Sequence, residues 1–336
     1  MGIKTYEVKL KMLGPVHIGD GSIRTKHEYI HDYYQSTVHV VDKVKFIQYL
    51  KGKNLLNKYL DFLKNPTKNF RESTLKFFLD QQKVKKSEWH KFVSFSQRVN
   101  LGKKENQKNS KKGLNDIHLM VRDGQKKVYI PGSSLKGALK TMIVAKYNNE
   151  DDKNYYSKIK VSDSLPIEER YLSIYQKIDI NKKDVGMPVY RECIEVGTEV
   201  SFQISIEDEV ISIESLESCI KDFYHNYYEK WLIGFKETHG GRLFEDGGGF
   251  PDTKKHNIIY IGGGVGFASK TLYYQRHNYT IAKQKTFNIL KKRHKNPYAK
   301  MRRIPRNVPI VLKGTVNLAK NEYYQQGMCQ ISFNQK

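Results

Sequence analysis

Residues 130–140 read Ile130-Pro131-Gly132-Ser133-Ser134-Leu135-Lys136-Gly137-Ala138-Leu139-Lys140. The spacing predicts a strand end, a tight turn and a helix start. Amides without an intrahelical partner at a helix N-terminus attract anions, and the Ser133 and Ser134 hydroxyls can add hydrogen bonds. Lys136 and Lys140 stand one turn apart on one side, so both can approach phosphates. A Walker A loop needs Gly-Lys-Ser/Thr at its close. Here Lys136 precedes Gly137, which disfavours an ATP site. A capped helix with two solvated lysines accounts for the same residues, and at this stage both readings stay open.

Gly262-Gly263-Gly264-Val265-Gly266-Phe267 forms a second candidate. Bare glycines let a backbone approach a phosphate or base closely. Phe267 stands where G-x-G-x-x-G needs its last glycine, so a dinucleotide fold is disfavoured. A flexible strand-to-helix turn is the plainer alternative. A third candidate is the basic run Lys291-Lys292-Arg293-His294-Lys295 with Arg302-Arg303. Such runs are commonly solvated faces. The charge of the whole chain favours a nucleic-acid footprint here. The histidines His17, His27, His31 and His39 could include a base that deprotonates a ribose 2′-OH, but no partner group stands near them in sequence. Asp20 and Asp32 could serve metal-assisted cleavage, yet no carboxylate group with ligand spacing surrounds them. No metal, cofactor or catalytic residue is therefore expected.

These groups must be positioned by a framework, and hydropathy patterning predicts it. Tyr6, Val8, Leu10 and Met12 alternate with polar residues, the period of a half-buried strand. Short strands are expected at 29–30 and 38–41. Asp42 can cap a helix bearing Val44, Ile47 and Leu50, and further helices are expected over 55–63, 73–82 and 89–99. Residues 102–113 are Lys-, Asn- and Gln-rich and predict a mobile loop. After a strand at 128–130, Leu135, Ala138, Leu139, Met142 and Ile143 make one helical stripe that ends at Lys146. Strands at 159–161 and 195–206, a helix from Ser212 or Ser215 to Leu232, a Gly-rich irregular stretch at 239–256, a strand at 258–261, a helix from Lys270 and a last strand at 308–316 complete the pattern. The order predicts an α+β fold of tandem ferredoxin-like, RRM-like units. The expected units are 1–188, with a helical insertion at about 42–113, and 189–336.

Lys and Arg total 59 against 35 acidic residues, a formal charge of +24. Such an excess suits a chain that neutralises a polyanion better than a free enzyme of a small neutral substrate. The 23 Tyr and 15 Phe are compatible with stacking on single-stranded bases and equally with ordinary packing. Cys193, Cys219 and Cys329 are widely separated and form no C-x-x-C, so disulfides and zinc are not expected and a reducing cytoplasm is. No leader pattern or membrane-length apolar run is visible.

Taken in order, Leu13-Gly14-Pro15-Val16-His17-Ile18-Gly19-Asp20-Gly21, the 129–137 run, Val161-Ser162-Asp163-Ser164 and the glycine loop resemble the RAMP superfamily of CRISPR proteins. The length, the helical insertion and the unit from Val189 resemble, within it, the family of fifth Csm subunits of type III-A effector complexes. That resemblance implies a single-copy, non-catalytic RNA-binding subunit that caps the crRNA 3′-side end of a Csm filament and supports crRNA 3′-end trimming. The implied partners are crRNA, the neighbouring backbone RAMP and small subunits, and host nucleases that trim; no membrane is implied. RNA contacts are expected from His17, Gly19, Gly132, Ser133, Ser134, Lys136, Lys140, Gly262, Gly263, Gly264 and Gly266, joined by the basic Lys292, Arg293, Arg302 and Arg303. The alternatives are a RAMP endoribonuclease that processes precursor crRNA with His17 or His27 as base, or a metal-dependent one that cuts target RNA using Asp20, as backbone RAMP subunits do.

Overall fold

The computed structural model of the chain describes residues 2–65, 67, 69–101, 114–148, 153–181, 185–207, 209–234, 257–293, 297–317 and 322–335. The expected loop at 102–113, the Gly-rich stretch at 239–256, and His294 and Lys295 lie outside the described residues.

The strands are β1 (Ile3–Met12), β2 (Ile23–Arg24), β3 (Tyr29–Asp32), β4 (Thr37–Val41), β5 (Val93–Asn100), β6 (Ile117–His118) and β7 (Ile159–Val161). They continue as β8 (Leu172–Ile180), β9 (Val185–Ile194), β10 (Glu199–Glu207), β11 (Ile258–Tyr260), β12 (Leu312–Asn317), β13 (Glu322–Gln325) and β14 (Met328–Gln335). The helices are α1 (Lys43–Gly52), α2 (Leu56–Lys64), α3 (Leu75–Gln81), α4 (Gly132–Tyr147), α5 (Lys153–Ser157), α6 (Ile213–Tyr227), α7 (Tyr273–Arg276) and α8 (Tyr279–Arg293).

Burial of β1 sets the first sheet. Its Tyr6, Val8, Leu10 and Met12 are buried, and in register with them stand Ile204, Phe202 and Val200 of β10 and Phe333, Ile331 and Cys329 of β14. Because side chains alternate faces, a one-residue slip would turn this whole apolar set to the other side, so the pattern pins the register. The sheet order is β11-β14-β1-β10-β7, all antiparallel. Traced through β1, α4, β7, β10, α6 and β14, the chain makes a βαββαβ circuit in the order 4-1-3-2, the ferredoxin-like arrangement. The stripe Leu135, Leu139, Met142 and Ile143 of α4 and Leu216, Cys219, Ile220 and Phe223 of α6 cover its face. Lys146, at the end of the α4 stripe, reaches Asp222 at 2.8 Å and Ser218 at 2.7 Å on α6.

The second sheet, β2-β6-β9-β8-β5-β4-β3 with β12 and β13 beside β8, is built from the connections of that circuit. β2 to β6 come from the β1–α4 connection, β8 and β9 from β7–β10, and β12 and β13 from α6–β14. The α+β class holds. The two expected units interleave, however: the boundary at 188/189 falls inside β9, and both sheets take strands from either side of it.

The helical insertion carries its own core of Phe46, Leu50, Phe78, Leu79, Trp89 and Phe92. Asp42 caps α1, accepting from the amides of Val44 and Lys45, as its position predicts. Of the helix expected over 89–99, only residues 89–91 are helical, in a 3-10 turn over Lys86–Lys91, and 93–99 belong to β5. Phe95, Gln97 and Val99 turn inward while Ser94, Ser96 and Arg98 are exposed, a period of two. The strand expected at 128–130 reduces to bridges from Val128 to Arg122 and Ile167. The sequence pattern predicts neither β8 nor β9, and β13 and β14 follow the strand expected at 308–316.

Candidate RNA-contact cavity

The motifs resembling the RAMP family meet. Residues 16–19 leave β1 and cross to the second sheet, where Val16 bridges Ile194 of β9. The glycine loop leaves β11 and lies on them: the Gly263 amide donates to the His17 carbonyl at 2.8 Å. Gly262 has φ +80°, and a Cβ there would fall on the same carbonyl oxygen, so only glycine permits this approach. The start of α4 closes a third side. Together they bound a cavity of about 430 Å³ lined by His17, Ile18 and Gly19, by Ser134, and by Gly262 and Gly263.

Gly21, Ser22 and Leu119 also line it, as do three cationic or titratable side chains that sequence reasoning missed: Arg191, His118 and Lys270. His118 and Arg191 are register partners on the adjacent strands β6 and β9, so both turn to one face. Lys270 Nζ donates to the Gly262 carbonyl at 2.8 Å and holds the loop in place. Among the described residues, no carboxylate pairs with Arg191 or Lys270. Arg191 is half-buried, its Nη1 is buried without a hydrogen-bond partner, and burial pushes its pKa below the ordinary value, the cost of a cation held without a counter-ion; Lys270 is exposed, and partial burial lowers it in the same direction.

Glu192 alternates with Arg191 and faces the opposite way, into the sheet, where it is fully buried. Its carboxylate accepts from both Arg122 nitrogens, from Gln97 Nε2 at 2.7 Å and from the Met120 amide at 3.0 Å. Burial, the largest single influence, would raise its pKa, but Arg122, Gln97 and Arg24 together outweigh it and hold the carboxyl below the usual value. The Glu192 carbonyl oxygen lies 2.8 Å from His17 Nδ1. A carbonyl only accepts, so Nδ1 carries the proton and Nε2 is left as an acceptor. Burial pushes the His17 pKa down to about 4, and the nearby Arg191 and His118 charges act in the same direction.

Of the remaining expected contacts, Gly132 does not line the cavity, and a Cβ there would strike the carbonyls of Val161 and Ser162. Its amide donates to Asp163 Oδ1 at 2.7 Å, and the Ile130 amide donates to Ser164 Oγ at 2.9 Å. The chain's own carboxylate thus occupies one of the amides expected to be free for a ligand. Ser133 is exposed. Neither Lys136 nor Lys140 lines the cavity, and the Lys140 ammonium lies 4.5 Å from the Tyr156 ring centroid. Gly264 abuts Arg191 and Gln326, and Gly266 abuts Lys313. Lys292, Arg293, Arg302 and Arg303 are exposed, flanking the cluster of Phe287, Leu290, Tyr298 and Val308 rather than the cavity.

Of the four histidines only His31 and His39 are near neighbours, on the paired strands β3 and β4, and neither lines the cavity. His27 packs edge-on against Phe62, His39 Nδ1 is 2.8 Å from Ser96 Oγ, and burial pushes His31 down to about 4. Asp20 Oδ1 accepts from the Ser22 amide, and Asp32 pairs with Lys86 at 2.6 Å. Among the described residues no cluster of His, Cys, Asp or Glu could hold a metal ion, and no helix is long and apolar enough to cross a membrane. The three cysteines are buried and free.

A ferredoxin-like sheet with a glycine loop packed over the first strand's exit defines the class. The RAMP superfamily model matches residues 9–264, and the chain belongs to that superfamily. Within it the chain is a member of the Csm5 family. It is 44% identical over 346 residues to the CRISPR system Cms protein Csm5 of Enterococcus italicus, covering 98% of this chain and 97% of that one. It is 27% identical to the Streptococcus thermophilus protein of the same name, covering 96% of each. Two solved structures share the fold. One is a chain of a cryo-EM Csm-crRNA-target RNA ternary complex of a type III-A CRISPR-Cas system, with TM-score 0.69, 17% identity and coverage of 97% of this chain and 100% of that one. The other is the crystal structure of T. onnurineus Csm5, with TM-score 0.63, 16% identity and coverage of 96% and 99%.

Proposed function

We propose that the chain is a non-catalytic crRNA-binding subunit of a type III-A Csm effector complex. In this reading it caps the crRNA 3′-side end of the filament beside a backbone RAMP subunit and the small subunit. It supports 3′-end maturation while host nucleases do the trimming. The observation that carries the RNA role is the convergence of the motif loops on a cavity lined by exposed Lys270 and by half-buried Arg191, with which no carboxylate among the described residues pairs. Phosphates supply that missing charge. The full-length kinship to Csm5 proteins supports the assignment to the complex.

A nuclease role finds little support. General-base catalysis works best with a pKa near the working pH, and His17 lies at about 4 with Nδ1 tied to a backbone carbonyl. Reconstituting the complex with Arg191→Glu in this subunit tests the proposal. The crRNA should carry longer, less uniform 3′ ends and should be recovered with less of this subunit. Unaltered crRNA lengths with the variant present at full occupancy would contradict it.

A further inference from the structure

The cavity presents a combination that a phosphate alone does not explain. Arg191 and Lys270 are cationic donors, and Ser134 offers a hydroxyl. His17 offers the opposite. Its Nδ1–H is spent on the Glu192 carbonyl, so Nε2 presents a lone pair. Among the described residues Nε2 has no hydrogen-bond partner. A Cβ on Gly19 would come within 2.8 Å of Nε2, and one on Gly263 within 3.5 Å of Cδ2. Glycine at position 19 therefore keeps the acceptor uncovered.

A lone pair aimed at a phosphodiester oxygen is repulsive, since that oxygen carries no proton to give. The occupant must bring an anion and, next to it, a hydrogen-bond donor. A nucleotide of RNA has both: the phosphate and the ribose 2′-OH, the group that separates RNA from DNA. We infer that the cavity is a sugar-reading seat in which Arg191 and Lys270 hold one phosphodiester and His17 Nε2 accepts a hydrogen bond from the adjoining 2′-OH, so that this chain selects RNA over DNA at that nucleotide. This rests on the RNA-binding reading above and names the feature of RNA that the site reads. The same imidazole that is too weak a base to cleave is a sound acceptor. Glu192 is the positioning residue, since its carbonyl fixes the tautomer while its carboxylate bolts the strand to Arg122 and Gln97.

The test uses the purified full-length chain and a labelled single-stranded RNA, its all-DNA counterpart, and a set of RNAs each carrying one 2′-deoxy substitution. Wild type should bind RNA more tightly than DNA. One position in the deoxy set should lose roughly fivefold, the worth of one hydrogen bond. In His17→Asn the amide can replace the Nδ1 donor to Glu192 while nothing replaces Nε2. That variant should lose both the RNA preference and the sensitivity to the deoxy substitution. Arg191→Met should weaken RNA and DNA alike and keep their ratio. Equal, salt-dependent binding of RNA and DNA by wild type would overturn the sugar-reading seat and leave RNA binding standing. So would an RNA preference unchanged in His17→Asn. Failure to bind either nucleic acid would overturn both. The deoxy series is read on the wild-type protein, so it decides the matter even if a variant folds poorly.

Discussion

Arg122, in the connection from β6 to α4, and Glu192 of β9 form a two-point pair, Nη1 to Oε2 at 2.7 Å and Nη2 to Oε1 at 3.0 Å. Glu192 is completely buried, whereas the other carboxylate on Arg122, that of Glu169, is 43% exposed. Breaking a buried pair leaves a desolvated charge behind, while an exposed pair contributes little. Glu192→Gln should therefore lower unfolding free energy by roughly 3 kcal/mol, and Glu169→Gln by less than about 1 kcal/mol. Urea unfolding of the two variants checks this, and equal effects would refute it.

Acid sensitivity follows from the buried histidines. Unfolded imidazoles titrate near 6.5, whereas His17 and His31 in the folded chain titrate at about 4. Between those values the unfolded chain binds more protons, so stability falls as pH drops, by up to ~1.4 kcal/mol per pH unit for each histidine. His27 and His39, also shifted down by burial, act in the same sense. Glu192, held low, adds a loss only below its ordinary value of 4.5. Urea midpoints should decline from pH 7 to pH 5, and His31→Phe should make the decline shallower. A flat profile would contradict the neutral buried state of these rings.

The two glycines of the α4 motif should behave oppositely. A Cβ on Gly132 has no room against the Val161 and Ser162 carbonyls, whereas one on Gly137 meets nothing within 4 Å. Gly132→Ala should cost about 1–3 kcal/mol through forced displacement. Gly137→Ala should stabilise by roughly 0.5–1 kcal/mol, because alanine is the better helix former. Thermal melts of both variants distinguish them by sign.

Charge reversal ranks the proposed RNA contacts. Arg191→Glu alters the cavity itself and should weaken RNA binding about tenfold to a hundredfold, the range for hydrogen bonds to charged groups. Lys136→Glu with Lys140→Glu should weaken it less, because these side chains stand off the cavity and Lys140 rests on Tyr156. Both proteins should remain folded. Leu139→Asp places an unpaired carboxylate in the core and should unfold. Affinity measured beside a melt checks the order, and a larger effect from the lysine pair would relocate the interface.

β1, β10 and α4 of the first layer were legible because each has one solvated face. Alternation in β1 and β10 and the stripe of α4 are direct images of burial. β8 was not legible for the converse reason: Leu172, Ser173, Ile174 and Tyr175 are buried in succession, so no period of two appears. β14 did alternate, Cys329, Ile331 and Phe333 against Gln330, Ser332 and Asn334, and its polar content masked a signal that was present. The loops of the candidate site announced themselves through glycines that the backbone approach requires. Arg191, His118 and Lys270 did not. Each is a single charged or polar residue among ordinary neighbours, and only the pairing of β6 with β9 and the fold of the glycine loop over His17 bring them together.

The central claim is that the chain holds RNA through phosphates and does not cut it. Purified full-length protein should be mixed with labelled single-stranded and precursor RNA, with and without Mg²⁺, across a salt series, and both retention and RNA length read. The account predicts intact RNA throughout and affinity falling on the order of tenfold to a thousandfold from low to physiological salt. Cleavage abolished by His17→Ala or Asp20→Ala, or affinity indifferent to salt, would contradict it.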